Sequence, residues 1–204
     1  VTAVNTHEKI LTRFREEKIP VLIGTQMVAK GLNLPDVTLV GVLDADLSLY
    51  SDTFRAAETT FNMLTQVVGR AGRGDSPGRA VIQTLVPEHQ VIRLAAAQDY
   101  DGFYDLEIGL RRVTNAPPFS DLVSITFVGE NEAAVMRGTM VFRDSLAAWL
   151  RGSGRKEEDY TLLGPAPCPV MKINYNFRYR LTLRCRMTAK LRQLLAHLLR
   201  SFSQ

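Results

Sequence analysis

Apolar residues along the first half of the chain recur in two alternating rhythms. Ile10, Leu11 and Phe14 lay a stripe on a helix over 7–18 that Pro20 ends, and Val21-Leu22-Ile23 then reads as a short buried strand closing on Gly24. A second continuous run, Val37 to Leu43, follows the turn at Pro35-Asp36. Phe54, Ala57, Phe61, Leu64 and Val68 then recur at three- and four-residue spacing, which predicts a helix over 52–72 with Ser51 or Asp52 as its cap and Arg73-Gly74 at its end. Val81 to Leu85 is another strand, and Pro87 opens another helix. Continuous strands separated by helices belong to a parallel sheet covered on both faces, so this half is α/β.

The rhythm changes at Ala116-Pro117-Pro118, where two prolines bar a helix from continuing. Beyond them Val123, Ile125 and Phe127 alternate with Ser124 and Thr126 as a half-buried strand, and Asn131 caps a helix carrying Val135, Phe142, Leu146 and Trp149. A loop at Gly152-Ser153-Gly154 and 155–159, strands near 160–164 and 177–187, and a helix over 189–201 complete a β-α-β-β-α order. Pro165, Pro167 and Pro169 are expected to stiffen a loop. The organisation is thus a lobe over 1–92, a helical connector over 93–118 and a small α+β domain over 119–204.

Composition narrows the class. The 204 residues are 46% hydrophobic and 23% charged, with ordinary glycine and proline contents, which excludes disordered and collagen-like chains. No apolar run approaches the roughly 18–20 residues of a bilayer span. The chain opens on Val1-Thr2-Ala3 without methionine or a signal peptide and reads as a piece of a longer protein. Cys168 and Cys185 stand apart from each other and from any histidine, as small apolar residues in a reducing cytoplasm do. The net charge of +4 conceals an asymmetry, since residues 151–204 hold 11 basic and three acidic groups. A local excess of that size is the footprint of a phosphate-binding surface or of a solvated strand and helix.

The candidate chemistry lies first in Gln66-Val67-Val68-Gly69-Arg70-Ala71-Gly72-Arg73. Arg70 and Arg73, three residues apart near a helix end, share a face and can converge on one phosphate, as an arginine finger does when charge develops on a γ-phosphate. Alternatively they pair with acidic neighbours. About forty residues earlier, the run from Gly24 to Pro35 follows a buried strand. The Thr25 hydroxyl and free backbone amides there suit a nucleic-acid phosphate, and Gly31 permits close approach of a ligand. An ordinary strand-to-loop junction fits Thr25 and Lys30 equally well. Asp44 and Asp46, at a strand end, could position an arginine, hold a loop or form a turn. His7 and His89 begin helical segments, where a capping or surface role fits.

The string Q-x-x-G-R-x-G-R resembles motif VI of superfamily 2 helicases, and the earlier run resembles motif V. The finer wording is similar to the bacterial primosomal helicases, the PriA family: Gly24-Thr25-Gln26-Met27 with Ala29-Lys30-Gly31, Leu43-Asp44-Ala45-Asp46, Phe54-Arg55-Ala56-Ala57-Glu58, Pro117-Pro118-Phe119, Leu163-Gly164-Pro165-Ala166-Pro167 and Arg178-Tyr179-Arg180 fall in the family's order. Another superfamily 2 translocase would lack the Pro-Pro-Phe junction and the Leu-Gly-Pro-Ala-Pro segment. The resemblance implies a truncated second motor lobe, a parallel sheet with flanking helices, followed by the α+β domain.

The activity so implied is that of an ATP-dependent 3′→5′ DNA helicase that binds stalled forks and starts primosome assembly. Its partners would be forked and single-stranded DNA, single-strand-binding protein and primosome proteins. The resemblance places Gln66, Arg70 and Arg73 at the ATP phosphates, with Arg73 as the finger. It turns Thr25, Gln26 and Lys30 toward single-stranded DNA and puts Gly31 near the nucleotide. Asn33 departs from the aspartate that many superfamily 2 members carry.

The sequence has no G-x-x-x-x-G-K-[ST] phosphate loop and no Asp-Glu pair to hold Mg²⁺, so ATP and Mg²⁺ belong to the full protein and this piece alone is expected to be inactive. The family's zinc-binding insertion is also absent from it.

On the strand from Arg178 to Arg186, Arg178, Arg180, Thr182, Arg184 and Arg186 fall on one face, with Tyr179, Leu181, Leu183 and Cys185 on the other. Such a ladder suits contacts along a DNA backbone, with Tyr175 or Phe177 able to stack on a base. A face docked on the helicase lobe or on a protein is the other reading. For the whole chain, the contrasting function is a non-catalytic nucleic-acid or protein-binding module that keeps a helicase-like scaffold.

Overall fold

The computed structural model describes residues 2–25, 37–69, 78–154 and 159–202. Two compact units divide between Glu107 and Ile108. The first contains helix α1 (Thr2–Glu16), strand β1 (Leu39–Val42), the single turn α2 (Asp46–Leu49), α3 (Ala56–Val68), strand β2 (Arg79–Ile82) and α4 (Gln90–Ala96). Helix α5 (Tyr100–Val113) runs across the division. The second unit holds β3 (Asp121–Gly129), α6 (Glu132–Gly152), β4 (Tyr160–Ile173), β5 (Asn176–Cys185) and α7 (Ala189–Phe202).

In the first unit β1 and β2 pair in parallel, Leu39 opposite Arg79 through Val42 opposite Ile82. Parallel strands need a crossover, and α3 supplies it. Its apolar stripe places Phe61 and Leu64 against Ala45, Leu49, Val91, Ile92, Ala95 and Phe103, the buried cluster of this unit. Phe61 and Phe103 stack with ring centroids 4.1 Å apart.

Several local expectations are corrected here. Val21-Leu22-Ile23 joins no ladder among the described residues, and Val21 and Ile23 are exposed. An apolar triplet supplies strand propensity, but a strand exists only through hydrogen bonds to a partner remote in sequence. Helix α3 begins three or four residues later than the Asp52 or Ser51 cap implied, with Arg55 at its N-cap and no side-chain cap. Pro87 precedes α4 rather than opening it, because the His89 side chain holds the start, its Nδ1 accepting the Val91 N–H at 3.3 Å.

The second unit is an antiparallel sheet of order β3-β5-β4 with two helices against one face. Alternate residues of β5, namely Tyr179, Leu181, Leu183 and Cys185, are buried and meet Phe142, Leu146 and Leu150 of α6 and Leu191 and Leu195 of α7. The Asn131 side chain accepts the Ala134 N–H at 2.9 Å and caps α6 as its sequence implied. Cys168 and Cys185 are both buried and free of any disulfide.

Strand β4 is longer than expected and takes Pro165, Pro167 and Pro169 into the sheet instead of a loop. It is an edge strand in which the ladder shifts register between Leu163 and Ala166 and again between Pro167 and Lys172, where missing N–H groups break no required bond. Gly164 is required at the first shift. Its φ is +102°, and an added Cβ would lie 2.6 Å from the Arg180 carbonyl oxygen. β5 ends at Cys185, so Arg186 lies beyond the ladder that the sequence had extended through it.

Phe142 is fully buried, with edge-on contacts to Phe127 and Phe202 at 5.2 and 5.1 Å. Phe142→Ala is expected to cost about 3–5 kcal/mol in the second unit, read from chemical denaturation. A loss below about 1 kcal/mol would show that α6 does not anchor this core.

Candidate helicase-lobe site and basic sheet

Of the residues assigned to the lobe's phosphate and DNA contacts, Gln26, Lys30 and Gly31, and likewise Arg70 and Arg73, lie outside the described residues. Thr25 is exposed in a segment without regular secondary structure. Gln66 is exposed on the last turns of α3, whose opposite face carries Phe61, Leu64 and Val67 into the core. Burial of that stripe fixes the rotation of α3 and turns Gln66 toward solvent.

The strand-end aspartates resolve into two structural roles. Asp44 has φ 52°, the left-handed conformation of a turn residue. Asp46 holds a loop: its carboxylate accepts from Thr84 Oγ1 at 2.6 Å and from the Leu85 N–H at 2.7 Å, clamping the chain that leaves β2. Thr84 Oγ1 in turn accepts the Val86 N–H at 3.0 Å. The Thr84 hydroxyl first, then the Leu85 N–H, hold the Asp46 carboxyl below its ordinary pKa despite its burial, and the charge of His89 acts in the same direction. Nearby, Thr60 Oγ1 donates to Ser48 Oγ at 2.9 Å, tying α3 to α2. Local patterning gave no sign of the clamp, since Thr84 is 38 residues from Asp46.

In the second unit β5 sets its arginines by register. Arg178, Arg180 and Arg184 stand opposite Val128, Thr126 and Leu122 of β3, on the face that α6 and α7 leave open. The three are half-buried, and they are not equivalent. Arg184 donates from Nη1 to the Thr114 carbonyl, and its Nε is buried with no hydrogen-bond partner among the described residues. Arg178 Nη1 lies 3.5 Å from the Val170 carbonyl oxygen. Arg186 is exposed beyond the strand end, where the Met187 N–H donates to Asp121. On the opposite face Tyr179 donates its hydroxyl to Glu132 Oε1 at 2.7 Å. That bond, with burial, raises the phenol pKa.

Among the described residues no cluster of His, Cys, Asp and Glu could hold a metal ion. No helix among them is long and apolar enough to cross a membrane.

A crossover helix with a Gln-x-x-Gly-Arg-x-Gly-Arg string at its end, followed by an α+β domain with a basic sheet, defines a helicase-type lobe joined to an accessory domain. Residues 2–75 match the helicase conserved C-terminal domain, and residues 112–204 match the primosomal protein N C-terminal domain. Over 198 residues the chain is 40% identical to replication restart protein PriA of Bacillus subtilis (strain 168), covering 97% of this chain and 24% of that protein. It is 37% identical to the PriA of Synechocystis over 86% of this chain, and 37% identical to that of Chlamydia trachomatis over 89%. These alignments take in 20% and 23% of the two relatives. The chain belongs to the PriA family of replication restart proteins and spans a fifth to a quarter of the length of these relatives.

Because the Asp46 pKa is lowered in the fold, its contribution to stability is present in full above the ordinary carboxylate pKa of about 3.9 and is lost as pH falls through the lowered folded value. Asp46→Asn should therefore melt earlier than the parent at pH 7, and the gap should close on acidification from about pH 5 to pH 2. A gap independent of pH in thermal melts would assign the loss to packing alone.

Proposed function

We propose that the chain supplies the second motor lobe and the C-terminal binding domain of an ATP-dependent 3′→5′ DNA helicase that acts at stalled replication forks and starts primosome assembly. A lobe over 1–92 is joined by residues 93–118 to a domain over 119–204. The observation that carries this reading is the intact Gln66-to-Arg73 string in a lobe of the helicase type, together with similarity to a PriA protein over 97% of this chain.

In this reading Gln66 contacts the nucleotide from the solvent face of α3, and Arg73, aided by Arg70, neutralises charge developing on the transferred phosphoryl group. Gly31 lies close to the nucleotide. ATP, with Mg²⁺, supplies the phosphoryl chemistry when bound, and the phosphate loop that grips it comes from a part of the protein outside this sequence. The chain alone therefore does not turn over ATP. Zinc likewise belongs to a region of the full protein outside this sequence. The protein works in the cytoplasm, where its partners are forked and single-stranded DNA, single-strand-binding protein and primosome proteins. Thr25, Gln26 and Lys30 contact the translocated strand.

The open face of the second unit serves DNA through its backbone phosphates. Support comes from charge and register: β5 brings Arg178 and Arg180 to one face, and Arg186 follows the strand. Phosphate contacts of this kind give affinity that falls steeply with salt and carries little sequence preference. Arg184 belongs to this set by position, although its bond to Thr114 also makes it a structural tie.

In the full-length protein Arg73→Ala is expected to lower ATPase kcat by at least about 10³-fold while DNA binding stays near normal. Preserved turnover would overturn the finger assignment. In anisotropy titrations across a salt series, replacing Arg178 and Arg180 with alanine should reduce the slope of log Kd against log salt by about 1.5–2. An unchanged slope would move the DNA site off this face.

A further inference from the structure

The tip of the β4–β5 hairpin reaches past the rest of the sheet. β3 pairs with β5 only as far as Gly129 opposite Phe177, whereas β4 and β5 continue to Ile173 opposite Asn176. The two residues between, Asn174 and Tyr175, both have positive φ, at 48° and 66°. A two-residue hairpin turn with both central residues left-handed strongly favours Asn-Gly, because it follows the twist of the strands it joins. Asn174 satisfies the first position, and the Asn176 side chain braces it with a 3.0 Å bond to the Asn174 carbonyl. The second position holds tyrosine, a bulky side chain in a conformation that disfavours it. Folding alone would select glycine there.

The ring placed at this cost is 84% exposed and lies beside a cation. Lys172 Nζ lies 4.5 Å from the Phe177 ring centroid and 6.0 Å from that of Tyr175. From Tyr160 to Gln204 the sequence carries eight basic residues and no acidic one. Of the acidic groups bordering the sheet, Glu132 receives the Tyr179 hydroxyl and Asp121 the Met187 N–H. An exposed aromatic face beside an ammonium group matches a nucleotide whose base is free to stack and whose phosphate meets the cation. A duplex buries its base faces and offers no such surface along its length, so the match is to unpaired nucleotides.

We propose that the hairpin tip is a stacking site for an unpaired nucleobase in single-stranded DNA, with Tyr175 as the platform and Lys172 as the phosphate contact. Tyr175 gives the domain its preference for single-stranded over duplex DNA, while the arginine face supplies charge to both. The proposal rests on the nucleic-acid role of the basic sheet set out above.

The test uses the full chain, a fluorescein-labelled oligothymidine, a blunt duplex of equal length, and three variants. Tyr175→Gly should weaken oligothymidine binding about tenfold, leave duplex binding and the salt slope unchanged, and melt no earlier than the parent, since glycine suits the turn. Tyr175→Phe should bind as the parent does, and Lys172→Ala should lower the slope by about one contact. Unchanged oligothymidine binding by Tyr175→Gly would overturn the stacking site alone. So would an equal loss on duplex, or a lowered melting temperature, either of which would make Tyr175 a structural part of the tip. If Tyr175→Gly loses affinity while removal of Arg178 and Arg180 leaves the salt slope intact, the arginine face falls and the stacking site stands. Absence of any binding by the parent at low salt would overturn both.

Discussion

Strand β5 is hydrogen-bonded along both edges, and that double pairing fixes what every one of its side chains does. Once β3 and β4 hold the backbone, residues can only alternate between the two faces, so Tyr179, Leu181, Leu183 and Cys185 must enter the core while Arg178, Arg180 and Arg184 must leave it. A slip of one residue would bury three guanidinium groups and expose the apolar set, at a cost far beyond the stability of a domain this size. The core thus specifies the basic face as a by-product of specifying itself.

The first unit solves a different problem. A parallel pair has no hairpin to set its ends, so the chain leaving β2 needs another restraint, and the Asp46 carboxylate provides it through Thr84 and the Leu85 N–H. An anion that receives two donors is held more firmly than any apolar contact at that point could hold it. Beside this clamp, α3 is positioned by Phe61 and Leu64. Because those residues point inward, Gln66 faces out at the threshold of the arginine string.

Ligand binding and folding make opposite demands on side chains. A residue that served a ligand would forgo partners or conformations that stabilise the fold, and in the proposed stacking site Tyr175, in a left-handed turn, is the residue that does so. Arg184, by contrast, shows how a side chain on the same open face can be recruited inward by a backbone carbonyl. Charge counted along a strand therefore overstates the charge available to a ligand.

Much of this was legible in the sequence. The β-α-β-β-α order, the Asn131 cap, the two faces of β5 and the Phe61-Leu64 stripe follow from periodicities of two and 3.6 or from residues adjacent in the chain, whereas the arginine string was legible through its resemblance to a helicase motif. Tertiary structure alone decided that Val21-Leu22-Ile23 pairs with no strand among the described residues, that three prolines enter an edge strand, and that β5 stops short of Arg186. It also decided that Asp46 reaches Thr84 and that Arg184 reaches Thr114, 38 and 70 residues away. Local sequence determines which conformation each segment favours and which face is apolar. Which strand finds a partner, and which charge finds an acceptor, depends on chain segments brought together only by the collapse of the core, and no local pattern encodes their meeting.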